Sequence, residues 1–298
     1  MTPPDERKTA GARPRVLLNP AASRGRGGSR LAGALRGEGL EVVETSSPSD
    51  MTRQAGRAAS DGHERVLVAG GDGAIHYAIQ ALAGTDCALG IVPVGSGNDL
   101  ARALGIAPEP EAALALALRG SSRTIDLGRI GERLFAGVVG LGIDGDVCRI
   151  VGQQPAWIPG TAAYAYAALR SLASFRPPSL IVEYEGGSFA GPVLLAGLAN
   201  SPVFGGGMRI APTATLDDGW LDLVIVEPVP FFELLRVFPR VYRGRHLSHP
   251  AVHCARVRKA SLLADRQRTF YADGEPLMDS GSAPTDVEIW SGALSVIA

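Results

Sequence analysis

Over its first 124 positions the chain alternates short continuous apolar runs with stretches whose apolar residues recur every three or four places. Val66 to Ala69 and Ala88 to Pro93 have the length and β-branched content of buried strands, and Arg15 to Leu18 and Leu40 to Thr45 are shorter runs of the same kind. Ile75, Ile79 and Leu82 fall at i, i+4 and i+7, the stripe of one helix face. Helices are also expected up to about Gly37, over Asp50 to Gly62, and over Glu111 to Arg119. Strands alternating with helices predict βαβ units around a parallel sheet.

From Ile125 the texture changes. Arg133 to Val139, Ser179 to Tyr184, Val193 to Leu198, Leu221 to Glu227, Ala251 to Ala264, Arg268 to Ala272 and Asp286 to Trp290 are β-rich runs separated by glycine and proline turns. They predict a mostly antiparallel β-sandwich. Helical patterns near Thr161 to Phe175 and Pro230 to Tyr242 interrupt it. The expected organisation is a disordered leader at 1–13, an α/β domain with a parallel sheet at 14–124, and a β-rich domain at 125–298. The last residues are free to return to the first domain. No internal repeat and no low-complexity tract is visible.

Composition narrows the setting. With 298 residues there is enough chain for two domains with substantial cores, and 46% hydrophobic against 20% charged residues excludes disorder throughout. A net charge of -1 supplies no global field toward nucleic acid or an anionic membrane, so no nucleic-acid partner is expected. Cys87, Cys148 and Cys254 form neither a Cys-x-x-Cys pair nor a disulfide framework, as suits a reducing cytoplasm. The polar first 14 residues hold no apolar core of a signal peptide, and no run approaches the ~20 apolar residues of a membrane-spanning helix. Membrane contact is then expected to be peripheral, at the inner face.

Chemistry gathers at turns. Gly70, Gly71 and Gly73 bracket Asp72 between an expected strand and helix, a geometry that offers backbone N–H groups and a helix N-terminus to a phosphate. Alone, such a turn is common. A second one, Gly95-Ser96-Gly97-Asn98-Asp99, again follows a buried strand. Ser96 or Asn98 can cap the helix behind it and Asp99 favours its first turn, so an ordinary N-cap is the plain alternative. Both turns, and the loop from Asn19, fall at the carboxyl edge of the expected sheet, where ligands of open α/β sheets lie.

These residues, in this order, resemble the diacylglycerol kinase catalytic domain shared by bacterial lipid kinases, sphingosine kinases and ceramide kinases. The resemblance rests on Gly70-Gly71-Asp72-Gly73 and on Pro93-Val94-Gly95-Ser96-Gly97-Asn98-Asp99-Leu100-Ala101. Asn19-Pro20, the run Ala211-Pro212-Thr213-Ala214-Thr215-Leu216-Asp217-Asp218-Gly219, and Asp273-Gly274-Glu275 complete it, from Arg15 to Trp290.

The resemblance implies ATP in the interdomain cleft. Its contacts would be Asn19, Pro20, Ala21, Ala22, Ser23, Thr45, Gly70, Gly71, Asp72, Gly73, Ala74, Ile75, His76, Tyr77, Ser96, Asn98 and Asp99. Asp72 and Asp99 would hold the nucleotide Mg²⁺, an ion that commonly keeps several waters and takes one or two carboxylates. The motif Asp273-Gly274-Glu275 implies a general base, with Glu275 preferred and Asp273 as its rival or support; an ordinary Asp-Gly turn is the alternative. Thr215, Asp218 and Trp220 match a structural Mg²⁺ position of some members, though an Asp-Asp-Gly turn into a strand explains them nearly as well. No Gly-x-x-x-x-Gly-Lys-Ser/Thr run occurs, which excludes a P-loop enzyme.

The implied activity is ATP-dependent phosphorylation of a lipid hydroxyl at a membrane surface, plausibly that of diacylglycerol. Alternative acceptors are a sphingoid base, ceramide or another lipid alcohol. NAD kinase and an inactive nucleotide- or lipid-binding homologue are the rivals, and a homodimer is a compatible assembly. Two positions depart from the family: Ala74 where Thr is usual, which removes a hydroxyl contact to phosphate, and His76 where Asn is common. His246, His249 and His253 are expected in an exposed loop rather than around a metal. Phe231, Leu235, Phe238 and Tyr242 share a helix face with Arg236, Arg240, Arg243 and Arg245 nearby, a pattern of core packing first and of an interfacial anchor second.

Overall fold

The computed structural model describes residues 14–19, 31, 35, 39–152, 166, 167, 170, 171 and 175–298. The expected leader, Pro20, Ala21, Ala22 and Ser23 lie outside them, as do most of the expected helices ending at Gly37 and Phe175.

Four parallel strands open the fold: β1 (Arg15–Leu18), β2 (Glu41–Glu44), β3 (Arg65–Gly70) and β4 (Ala88–Pro93), side by side in the order β2-β1-β3-β4. Their apolar runs are continuous because both faces are covered. Val66 and Val68 of β3 point into one core, with Ile75 and Ile79; Leu67 and Ala69 point into another, with Leu31, Leu35 and Leu114. The helices are α1 (Pro48–Ser60), α2 (Asp72–Leu82), α3 (Asp99–Ala103) and α4 (Pro110–Arg119). Ser47 caps α1 by accepting from the Asp50 N–H at 3.1 Å, and Pro48 occupies its first turn, where a missing N–H costs nothing.

The second half adds β5 (Ser122–Ile130), β6 (Arg133–Phe135), β7 (Val138–Gly142), α5 (Asp144–Gly152), β8 (Ser179–Tyr184), β9 (Gly187–Pro192), β10 (Leu195–Ala199) and β11 (Leu221–Val226). Then come α6 (Phe231–Val241), β12 (Val252–Val257), β13 (Lys259–Ala264), β14 (Thr269–Ala272), β15 (Glu275–Asp279) and β16 (Thr285–Ile297). Past β4 the first sheet continues as β16-β13-β8-β9, and β5 pairs with β16 and β6. A six-stranded sheet, β12-β11-β10-β7-β14-β15, lies over this antiparallel part. Phe135, Phe270, Leu198, Leu223, Leu262 and Val287 are among the residues of the core between them. An α/β domain with a mainly parallel sheet and a mostly antiparallel sandwich are the expected fold class.

β16 belongs to both halves. Val287 pairs with Ala260 of β13 and Ile130 of β5, whereas Val296 lies parallel to Leu89 of β4 and joins the first core with Ala293 and Leu294. The run expected as one strand from Ala251 to Ala264 is two: β12 pairs with β11, β13 with β8 and β16, and the chain changes sheets at Arg258. Both segments look alike in sequence because each packs its apolar residues on the same core. β9, Gly-Ser-Phe-Ala-Gly-Pro, has no apolar run and was not expected; it is an edge strand, where proline is tolerated.

Candidate active site

The two glycine turns leave the carboxyl ends of the adjacent strands β3 and β4 and press against each other. A Cβ at position 95 would lie 2.5 Å from the Gly71 Cα, so only glycine allows this approach. Asp72, first residue of α2, reaches across: its Oδ1 accepts from the Asp99 N–H at 2.7 Å and from the Leu100 N–H at 3.4 Å. It therefore caps α3, the role expected of Ser96 or Asn98. Asn98 is unavailable for it because its amide closes the turn on Gly95, accepting from the Gly95 N–H at 3.0 Å and donating to the Gly95 carbonyl at 2.8 Å, with its backbone left-handed (φ 54°). Ser96 is exposed.

Asp99 faces the second domain. Its Oδ2 accepts from the Gly206 N–H at 2.8 Å, while its Oδ1 is buried with no hydrogen bond and the Arg102 Nε stands 3.9 Å away. Burial pushes the Asp99 carboxyl up; burial and the Asp99 charge push Asp72 up to about 7. Two carboxylates held together at this cost, one with an unpartnered buried oxygen, form a donor set that fits a divalent cation. The first N–H groups of α2 lack partners within the helix and point the same way.

Asp273-Gly274 is the turn of the β14–β15 hairpin, with φ 53° and 88°. The plain Asp-Gly turn and the site residue are thus one feature. Asp273 Oδ1 accepts from the Gly137 N–H (2.8 Å) and the Val138 N–H (3.2 Å), and its Oδ2 from the Ala136 N–H and His76 Nδ1 (both 3.1 Å). A carboxylate with four donors is an anchor rather than a free base. Glu275 differs: its Oε2 accepts from the Tyr77 hydroxyl at 2.9 Å, and its Oε1 lies where a Cβ on Gly73 would be, 2.6 Å away.

Other expected contacts sort themselves around this centre. Asn19 ends β1 beside Gly70, its N–H donating to the Ala69 carbonyl at 3.1 Å. Thr45 is buried, and its hydroxyl donates to the Leu18 carbonyl at 3.2 Å. Ala74 and Ile75 point into the first core, so at these positions only the backbone faces the turn. Ala74 closes against Gly70, where a Cβ would stand 2.4 Å from its own.

Thr215, Asp218 and Trp220 lie apart from the cleft. Asp218 accepts from the Trp220 N–H at 3.0 Å and forms an ion pair with Arg256, while Arg256 and Arg258 stack over the Trp220 ring. Here the Asp218 carboxylate is taken by a guanidinium. The three histidines diverge. His246 is buried, not exposed, with Nε2 against the Ile210 carbonyl, while His249 meets Glu233 and His253 meets Glu227. Among the described residues no group of three acidic, histidine or cysteine side chains could hold a metal.

Three features escaped the sequence. The cleft floor carries Asp72, Asp99, Ala136, Val138, Phe204 and Asp273. On the other side of Phe204 opens a largely apolar cavity of about 120 Å³, roofed by Leu234, Val237, Phe238 and Val241 of α6. At the junction sits Asp144, buried, with Oδ1 unpartnered; burial pushes its carboxyl up to about 7. Third, Gly205, Gly206 and Gly207 all have positive φ, which lets the loop lay its N–H on Asp99. The run of three glycines was the one signal the sequence offered for it.

The expected helix at 230–242 is α6, yet none of its residues is buried. Phe231, Phe232 and Leu235 are exposed, Phe232 by 82%. Its inward face is Leu234, Val237, Phe238 and Val241 rather than the expected Phe231, Leu235, Phe238 and Tyr242. Among the described residues no helix is long and apolar enough to cross a membrane.

Comparison with known proteins bears on the whole chain. The family model of the diacylglycerol kinase catalytic domain matches residues 13–130, and that of the YegS C-terminal NAD kinase beta sandwich-like domain matches residues 137–298. A diacylglycerol kinase of Mycobacterium tuberculosis (strain ATCC 25618 / H37Rv) is 32% identical over 297 residues, covering 95% of this chain and 94% of the relative. One from Bacillus subtilis (strain 168) is 30% identical over 271 residues, covering 88% and 89%. The fold is also similar to the crystal structure of a diacylglycerol kinase from Bacillus anthracis str. Sterne: TM-score 0.74, 20% identity, 97% of this chain and 98% of that one.

Proposed function

The chain belongs to the diacylglycerol kinase family, and from that premise we propose that it transfers the γ-phosphoryl group of ATP to the hydroxyl of a membrane lipid, diacylglycerol. One observation carries this reading: Asp72, Asp99 and Asp273 line a cleft on one side of Phe204, Glu275 stands over Gly73 in the first turn of α2, and a largely apolar cavity opens on the other side. Phosphoryl transfer asks a protein mainly for positioning and charge neutralisation, and lipid chains ask for an apolar recess.

In this mechanism the phosphates lie on the N-terminus of α2, with Asn19, Gly70 and Gly71 around them. Asp72 and Asp99 would hold Mg²⁺, which when bound neutralises charge on the phosphates. The acceptor hydroxyl approaches Glu275, whose carboxylate takes the proton as the oxygen attacks the γ-phosphorus and ADP leaves. Asp273, anchored by four donors, holds the hairpin that carries Glu275. Asp144, at the head of the apolar cavity and pushed toward neutrality, is suited to donate to a polar group of the lipid near its reacting hydroxyl.

The lipid partner also accounts for α6. An exposed Phe231, Phe232 and Leu235 beside Arg236, Arg240, Arg243 and Arg245 suits an interfacial helix on an anionic bilayer, lying over the cavity that would receive the chains. This supports a position at the cytoplasmic face of the membrane. Phe232→Ser should weaken co-sedimentation with phosphatidylglycerol vesicles about 10-fold; unchanged binding would count against this surface.

The decisive experiment is a phosphotransfer assay with ATP across diacylglycerol, sphingosine, ceramide and NAD. Phosphatidic acid as product is expected. Phosphorylated NAD as the only product would sink the lipid reading, and ATP binding without any turnover would point to a binding protein.

A further inference from the structure

One side of α2 carries Gly73, His76, Tyr77 and Gln80, spaced i, i+3, i+4 and i+7, and each meets the second domain, with Tyr77 packing against the first core as well. Gly73 leaves room for Glu275, and His76 and Tyr77 donate to Asp273 and Glu275. Gln80 donates to the Leu134 carbonyl at 2.8 Å and accepts from the Leu134 N–H at 3.0 Å. The helix whose N-terminus faces the phosphates thus also grips the segment that carries the base.

Resting on the kinase reading above, we propose that Tyr77 is a positioning residue for Glu275, and that α2 makes phosphate site and base one rigid piece. A glutamate's terminal torsion is broad, so one fixed oxygen is needed to aim the other. The Tyr77 hydroxyl fixes Oε2, and Oε1 is then held over Gly73 in the first turn of α2. Tyr77 is itself constrained: its carbonyl accepts from the Thr52 hydroxyl at 2.8 Å and its ring stands edge-on to His76, centroids 5.3 Å apart. Burial and the bond to Glu275 push the phenol up to about 12, so it remains a donor throughout the neutral range. The resemblance implies Tyr77 as a nucleotide contact; its hydroxyl is engaged by Glu275.

Tyr77→Phe keeps the ring and deletes only the hydroxyl. The expected result, with diacylglycerol as acceptor, is a kcat about 10-fold lower with KM for ATP within about two-fold of wild type and an unchanged melting midpoint. A wild-type kcat in Tyr77→Phe, with Glu275→Gln inactive, overturns the positioning role and leaves the kinase reading standing. Wild-type turnover in Glu275→Gln instead removes the base itself. A Tyr77→Phe variant that melts early while kcat is unchanged makes the hydroxyl a structural tie only.

Discussion

Asp99 and Asp273 are the same side chain in the same cleft, used in opposite ways. Asp273 meets four hydrogen-bond donors, three from the backbone and one from His76, and fixes a hairpin turn in a left-handed conformation. Asp99, and Asp72 behind it, are under-supplied: an oxygen of Asp99 is buried without a hydrogen bond, and both carboxyls are pushed up. A fold that satisfies one carboxylate this fully leaves an oxygen of another without a donor, as the proposed Mg²⁺ site requires. The comparison separates a carboxylate that builds the site from a pair that the ligand completes.

Three substitutions would break or sharpen that contrast. Asp72→Asn keeps an oxygen to cap α3 but loses the charge, so turnover should fall at least about 100-fold while the urea midpoint holds or rises. Retained turnover would make Asp72 a cap and nothing more. Asp273→Asn should do the reverse in kind, since an amide nitrogen would face two of the four donors; a loss of about 1–3 kcal/mol in urea unfolding is expected, with a smaller loss of rate. Equal effects of the two on stability would erase the distinction.

Asp144 extends the test through pH. Its carboxyl ionises near 3.8 in the unfolded chain and about 7 in the folded one, so between these values the folded chain holds the extra proton. Stability should therefore fall as pH rises from about 4 to 7 and level off above, by an amount on the order of a few kcal/mol. Asp144→Asn should make that slope shallower, leaving the share contributed by Asp72, which is pushed up to about 7 as well, as thermal melts across the window would show; an unaltered slope would mean that Asp144 is ionised without penalty.

What was legible in the sequence is local. A strand, a glycine turn and a helix read in one window identify Gly70 to Leu82, and a second window identifies Gly95 to Ala101. The part that escaped is made by residues far apart in the chain. Asp72 capping α3, Gly206 on Asp99 and Tyr77 on Glu275 leave no mark in any window, because each joins side chain and partner across many residues. Asp144 looked like one more acidic residue in a Gly-Ile-Asp-Gly-Asp run, and burial alone distinguishes it. Ala74 shows the converse: a departure visible in the sequence lies in the core.

β16 has a consequence for how the molecule is made. The first sheet places Leu89 beside Val296, so the α/β half cannot finish its core until the distant segment around Val296 has been made. Until then the free edge of β4 is an open invitation to other strands, and apolar residues meant for Ala293, Leu294 and Val296 are without their partners. Such late, long-range closure is slow. The newborn protein should depend on protection in that interval, and then lock both halves in a single final step.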